Sequence, residues 1–159
     1  MGRVRTIPGC ALLLILVLGC SDPATLYEQS FELPDTGWSR DLILEGSLET
    51  EQDAEPTKAV LHITFSPEFG YQNLYLSGDI RSGDDLLWSD TFSIQLTSTQ
   101  AGEWRGRQVG DALIVTDTVA GPISWHRNDP IRFSFSQFSR EELLRGIRSV
   151  QVEFVKARR

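Results

Sequence analysis

Two histidines, 22 carboxylates and a small set of aromatic rings are the side chains here with chemistry to offer. A hydrolase needs a nucleophile held beside a base, and a metal centre needs ligands gathered at set spacing. His62 falls on the outward side of an alternating run from Lys58 to Phe65 and reads as a solvated strand residue. His126 follows Trp125 in a polar loop with Asp129 nearby, which resembles half of a catalytic or metal pair. The chain has no Gly-x-Ser-x-Gly elbow and no histidine–glutamate zinc motif to supply the other half. Gly78-Asp79, Gly83-Asp84-Asp85 and Gly110-Asp111 offer hard oxygens of the kind calcium takes. They form no alternating aspartate run, however, and turn chemistry accounts for them. Nothing selects two carboxylates as a glycosidase pair. The expectation is therefore no catalytic residue, no metal and no cofactor.

Trp38, Trp88, Trp104, Trp125, Tyr71 and Tyr75 admit two uses. Flat exposed rings on a sheet stack on sugars, which would make a carbohydrate-binding module. Tryptophan is large and buried on average, which would make them packing. Trp88 is expected in the core, and Trp104 is expected to be pinned over the glycines that flank it.

The cysteines carry a different chemistry. Arg3 and Arg5 precede an apolar run from Ala11 to Leu18, and Val17-Leu18-Gly19-Cys20 closes it. Basic, apolar and small-residue regions in that order are a secretory signal. The run is well short of the ~20 residues that span a bilayer as a helix. Its end resembles the lipobox of bacterial lipoproteins, which implies cleavage after residue 19 and acylation (palmitate among the acyl chains) at Cys20. Residues 1–19 are read as signal peptide and residues 20–25 as lipidated cysteine and short tether. Each buried methylene adds ~0.8 kcal/mol and two or more chains anchor stably, so the lipid holds the protein to the membrane without a transmembrane helix. Ser21, not aspartate, follows the cysteine. By resemblance to the Gram-negative sorting rule this implies the outer membrane, with its periplasmic face the expected side.

Cys10 leaves with the signal and Cys20 carries lipid, so the folded part has no thiol for disulfide, zinc or nucleophile. Losing Arg3 and Arg5 takes the formal charge from −7 to −9. Such a surface repels phosphate backbones and excludes general nucleic-acid binding.

The elements that position these residues read as strands. Leu26 to Leu33 alternates loosely, as a first strand or an extended arm, and Pro34-Asp35-Thr36-Gly37 is a turn. Leu42, Leu44, Gly46 and Leu48 share one face; so do Leu61, Ile63 and Phe65. Glu49 to Thr57 reads as an exposed acidic loop. Leu74 to Ile80 and Trp88 to Leu96 flank Arg81-Ser82-Gly83-Asp84-Asp85, a hairpin signal. Ala112 to Val119 is a strand ended by a turn at Ala120-Gly121-Pro122, and Ile131, Phe133 and Phe135 lie on another. Ser139-Arg140-Glu141-Glu142 looks like a capping box, which predicts a short helix ending at Gly146 and laying Leu143, Leu144 and Ile147 over one end of the fold. Val150, Val152 and Phe154 make the last strand. The sum is an all-β, antiparallel β-sandwich of about seven or eight strands with one short helix near the C-terminus, occupying residues 26–157 as a single domain.

Trp38, Tyr71-Gln72-Asn73-Leu74, Gly102-Glu103-Trp104-Arg105-Gly106 and Leu144-Arg145-Gly146-Ile147-Arg148-Ser149-Val150 follow the lipobox in that order. Together they resemble the gliding-motility lipoprotein family GldH of Bacteroidetes over almost the whole mature chain. Arg107 and Val109 stand where the family tends to have further glycines, and the family's Met-Arg before the last helix is absent at Phe138-Ser139-Arg140. The resemblance implies a non-catalytic accessory part of gliding motility or the type IX secretion machinery, docking onto an envelope protein complex. It implies no catalytic residues to carry over. Gly102 and Gly106 would let the backbone turn around Trp104, so Trp104, Arg105 and Tyr71 are the candidate contacts for a partner or ligand. A carbohydrate-binding module is the alternative reading and a hydrolase the distant one.

Overall fold

The computed structural model describes residues 24–49, 56–98 and 102–157. The signal segment, Cys20 and most of the acidic loop at 49–57 lie outside them. The described residues are all-β: β1 Thr25–Glu32, β2 Trp38–Ser39, β3 Leu44–Leu48, β4 Thr57–Phe65, β5 Asn73–Ser82, β6 Asp85–Gln95, β7 Arg107–Val109, β8 Ala112–Ile123, β9 Ile131–Gln137, β10 Leu143–Leu144 and β11 Ile147–Lys156. All pairings are antiparallel. One sheet has the order β1-β11-β4-β8-β7, a second β3-β9-β5-β6, and β10 pairs with β2 alone.

Period-two alternation gives each sheet one apolar face, and the two faces share a single core. Phe133 of β9 reaches across to β1 and β11, its ring 6.1 Å from Tyr27, 6.4 Å from Phe31 and 5.6 Å from Phe154. Two glycines make room for this aromatic layer. Gly46 lies opposite Phe133 and Gly78 opposite Phe135 in register. A Cβ on Gly78 would stand 2.6 Å from the Phe135 ring, and one on Gly46 would collide with Phe133. The missing side chains are what let two phenylalanines lie over neighbouring strands. Burial of Tyr27 in the same layer raises its hydroxyl pKa.

The hairpin forms as read, with Gly83-Asp84 linking β5 to β6 and Gly83 at φ 55°. Three expectations are corrected. The turn at 120–122 is absent: β8 runs on to Ile123 through a bulge against β4, and Gly121, at φ 129°, passes so close to Thr57 that a Cβ would lie 2.8 Å from its carbonyl oxygen. Trp88 is only half-buried, because it sits on edge strand β6 with its ring against Phe92 and Phe135.

The third correction is the short helix near the C-terminus. Residues 139–142 are bends, Leu143 and Leu144 form β10, Gly146 lies in a turn, and Ile147 opens β11. Tertiary partners take the backbone groups a helix would have paired. Ser139 does not cap: its N–H and hydroxyl donate to Gln137 Oε1 at 3.0 and 2.7 Å. Gln137, itself buried, donates from Nε2 to the Glu141 carbonyl at 3.0 Å. Arg40 Nη2 donates to the carbonyls of Ser139 and Arg140 at 3.0 and 2.8 Å, and the Arg40 N–H donates to Glu142 at 2.9 Å. Leu144 still covers one end of the core, but as a strand residue paired with the fully buried Trp38.

Candidate functional site

The segment that failed to form a helix builds one wall of a wide groove. The Phe138 N–H donates to the Tyr75 carbonyl at 2.8 Å, which clamps the 137–142 bend over one end of β5 and β6. With Gln137 turned inward and fully bonded, the next side chain, Phe138, is forced out and left 61% exposed. Tyr71 and Tyr75, each 47% exposed, line the same groove. Arg40, Arg140, Glu141, Asn73, Thr91 and Ser93 also line it, around a volume of about 1190 Å³. Three of the large exposed apolar side chains thus meet in one place, beside two arginines, one glutamate and several hydroxyl and amide groups. Such a patch is rarely left open on a protein that has nothing to bind.

The three candidate contacts do not converge on it. Tyr71 lines the groove. Trp104 lies half-buried in an isolated bridge to Thr97, its ring edge-on to Phe65 at 5.3 Å. A ladder of rings joins the two places: Tyr71 to Phe69 at 5.5 Å, Phe69 to Phe65 at 6.2 Å, then Trp104. Arg105 turns elsewhere. Its N–H donates to the Leu96 carbonyl at 2.6 Å and its guanidinium to Gln95 O at 3.2 Å, and it borders a second, smaller pocket with His62. The loop glycines are needed by the backbone: Gly106 is at φ 94° against the Ile114 carbonyl, and Gly102 is at φ 65°.

His62 is not simply solvated. Its Nε2 is 2.8 Å from Glu153 Oε2 and its Nδ1 2.9 Å from Thr116 Oγ1, while Thr25 donates its hydroxyl to the other Glu153 oxygen. His126 and Asp129 stay in the exposed turn before β9. Asp79 takes a hydrogen bond from Ser134 at 2.7 Å, and Asp111 takes both donors of Arg148 at 2.8 Å. That bidentate partner holds the Asp111 carboxyl below its usual range and the guanidinium above its own. Among the described residues no three His, Cys, Asp or Glu side chains cluster as metal ligands, and no helix is long and apolar enough to cross a membrane.

Phe138 and Arg40 were not singled out by sequence. The available signal was period: Ile131, Phe133, Phe135 and Gln137 fill the inward positions, so Phe138 is an aromatic on the wrong beat. Tyr75 is likewise out of phase between buried Leu74 and Leu76.

Among solved structures, the chain is similar to the VP2 subviral particle of infectious bursal disease virus at 8% identity and a TM-score of 0.32, covering 94% of this chain and 37% of that one. It is similar to dimeric latent PorU from Porphyromonas gingivalis at 16% identity and a TM-score of 0.29, covering 87% and 14%. The chain therefore spans well under half of either structure, and likeness at this level carries no argument. No curated protein matches. The model of the GldH lipoprotein family matches residues 25–153, from the first residue of β1 into β11. Its match takes in the Trp104 loop, the Tyr71 segment and the Leu144–Val150 stretch alike, and the chain belongs to the GldH lipoprotein family.

Proposed function

We propose that this protein is a lipid-anchored, non-catalytic docking component of the cell envelope. In this reading a β-sandwich domain hangs from Cys20 at the periplasmic face of the outer membrane and serves gliding motility or the type IX secretion machinery. Family membership supports the lipoprotein character and the tie to motility. The observation that carries docking is the groove of Tyr71, Tyr75 and Phe138. Exposed aromatics flanked by arginines are the composition of interface hot spots, where rings bury area at small entropic cost. Arg40 and Arg140 share this lining with Glu141, so the groove selects a partner segment chiefly by its apolar side chains.

A second reading is favoured by the tyrosine rings and by Asn73, Thr91 and Ser93 beside them, a lining that also suits a sugar. One experiment separates the two. Cells expressing the intact lipoprotein are crosslinked, the protein is recovered from solubilised membranes, and the companions are identified. Recovery of motility or secretion components, lost in Phe138→Ser and in Cys20→Ala, supports docking. Recovery of polysaccharide, or of the lone chain, overturns it, and polysaccharide would place glycan binding first. Phe138 is exposed enough that its loss should change stability by less than about 0.5 kcal/mol.

A further inference from the structure

The four-stranded sheet ends at β6, and the outer side of β6 is only partly covered. The Trp104 segment closes one end of that edge. Trp104 bridges Thr97, the Arg105 N–H donates to Leu96 O at 2.6 Å, and the Ser98 N–H donates to Glu103 O at 2.7 Å. From Asp85 to Ser93 no described residue pairs with the outer side of the strand. A free edge presents unpaired N–H and C=O groups, a template for pairing with another chain. The uncovered stretch contains no proline to block such pairing.

Asp90 breaks the pattern of this edge. It lies opposite Gly78 in register, on the face that carries Trp88 and Phe92 toward the core. Those two rings lean together at 5.7 Å and are only half-buried, so the apolar face of β6 is itself incomplete. Asp90 stands between them in the strand, exposed, and takes the Thr91 N–H on Oδ1 at 2.7 Å. That bond leaves the negative charge in place and the second oxygen open. A charge on the inward face is a device that keeps an edge from pairing indiscriminately. A strand that adds here must either desolvate the carboxylate at a cost or answer it with a cation.

The chain's own long edges supply no such cation. β1, β3 and β6 carry Glu28, Glu32, Glu45, Asp85 and Asp90 and no lysine or arginine. Arg107 lies on β7, which at three residues is too short to cover this edge. A second copy pairing through β1, β3 or β6 would bring only negative charge to Asp90. We propose that the free edge of β6 takes an extended segment of a partner protein by strand addition. The segment places lysine or arginine opposite Asp90 and apolar residues opposite Trp88 and Phe92. Main-chain hydrogen bonds supply affinity, and the cross-strand pairs supply selectivity. Thr91 and Ser93 of the same strand line the aromatic groove, so alternate side chains of the added segment reach its rim. The inference rests on the docking reading for its partner and on β6 for its geometry.

The test titrates a labelled synthetic peptide, in which valine, lysine and valine alternate with threonines, into the mature lipidated protein in neutral detergent. Binding is read by fluorescence anisotropy and should be saturable. Glutamate in place of the lysine should weaken it about tenfold, the difference between an attractive and a repulsive cross-strand pair. Methylating the peptide's backbone nitrogens should abolish it, because the added ladder loses its donors. Asp90→Asn should bind the lysine and glutamate peptides about equally, and Asp90→Lys should reverse the preference. Asp90 is exposed, so both variants should keep the parental circular dichroism spectrum. No saturable binding, equal binding of the two peptides by the parent, or a lysine preference that persists in Asp90→Asn overturns the proposal. So does binding that survives methylation. Phe138→Ser should leave the lysine preference unchanged; its loss there assigns recognition to the groove and overturns the β6 site. Failure here leaves docking through the groove standing, because the crosslinking experiment tests that separately.

Discussion

Gly78→Ala should destabilise the protein although it adds a single methyl and removes no contact. The new Cβ would lie 2.6 Å from Phe135 Cδ1 and Cε1 and 3.1 Å from Trp88 Cζ3. Carbon atoms settle at about 3.5–4.0 Å, so the overlap with the ring is about 1 Å. Phe135 has little room to withdraw, being fully buried with Phe133, Trp88 and Phe92 around it at 6.1, 6.4 and 6.5 Å. Overpacking of this kind costs about 1–3 kcal/mol, and replacing glycine in a strand returns about 0.5–1. From the middle of each range the net loss should be about 1 kcal/mol. With a urea slope of about 1–3 kcal/mol/M, the midpoint should fall by several tenths of a molar to about 1 M. Tryptophan fluorescence during urea denaturation reads this directly. Gly70→Ala is the control: it has open space and no positive φ, and should shift stability by less than about 0.5 kcal/mol. Combining Gly78→Ala with Phe135→Leu should cost less than the sum of the two single changes, because the smaller side chain clears the overlap. A Gly78→Ala protein as stable as the parent, or strict additivity in the pair, would refute the claim that the glycine exists to seat Phe135.

Trp104→Ala should cost about 1–3 kcal/mol through loss of its half-buried edge on Phe65, while Trp104→Phe should recover much of it. If the alanine variant unfolds at the parental urea midpoint, the ring is not packing and becomes a free surface contact. Asp111→Asn tests the Arg148 pair through pH. Because the folded carboxyl pKa lies below the unfolded value of about 3.9, the pair's contribution is complete above that value and disappears as pH falls through the folded one. Asp111→Asn should therefore be slightly less stable at pH 7, and the gap should close below about pH 4. Both groups are well exposed, so the gap will be small. Urea midpoints from pH 7 to pH 2 check this, and parallel curves throughout would show that the pair contributes nothing.

Much of the architecture is present in period-two alternation. Leu61, Ile63 and Phe65, then Val150, Val152 and Phe154, had to face one way because each strand turns alternate side chains to opposite sides, and all six are fully or almost fully buried. The turn at Pro34 to Gly37 and the hairpin at Gly83 were legible because their backbone needs particular residue types. Family membership was legible for the same reason, since order and spacing survive in one dimension.

The segment from Gln137 to Gly146 shows what one dimension does not hold. Ser139 and Glu142 carry a sound local signal for a helix, and an isolated peptide would have only that to follow. In the folded chain Arg40 and Gln137 bond its carbonyls and hydroxyl, and Trp38-Ser39 pairs with Leu143-Leu144. The contacts from Trp38, Ser39 and Arg40 join residues about a hundred positions apart, and together with the Gln137 bonds they outweigh one capping box. The same contacts turn Phe138 outward beside Tyr71 and Tyr75. Sequence alone determined most of the long strands and the kinship. The groove was decided by tertiary structure, because it is made by segments that meet only after the sheets have formed.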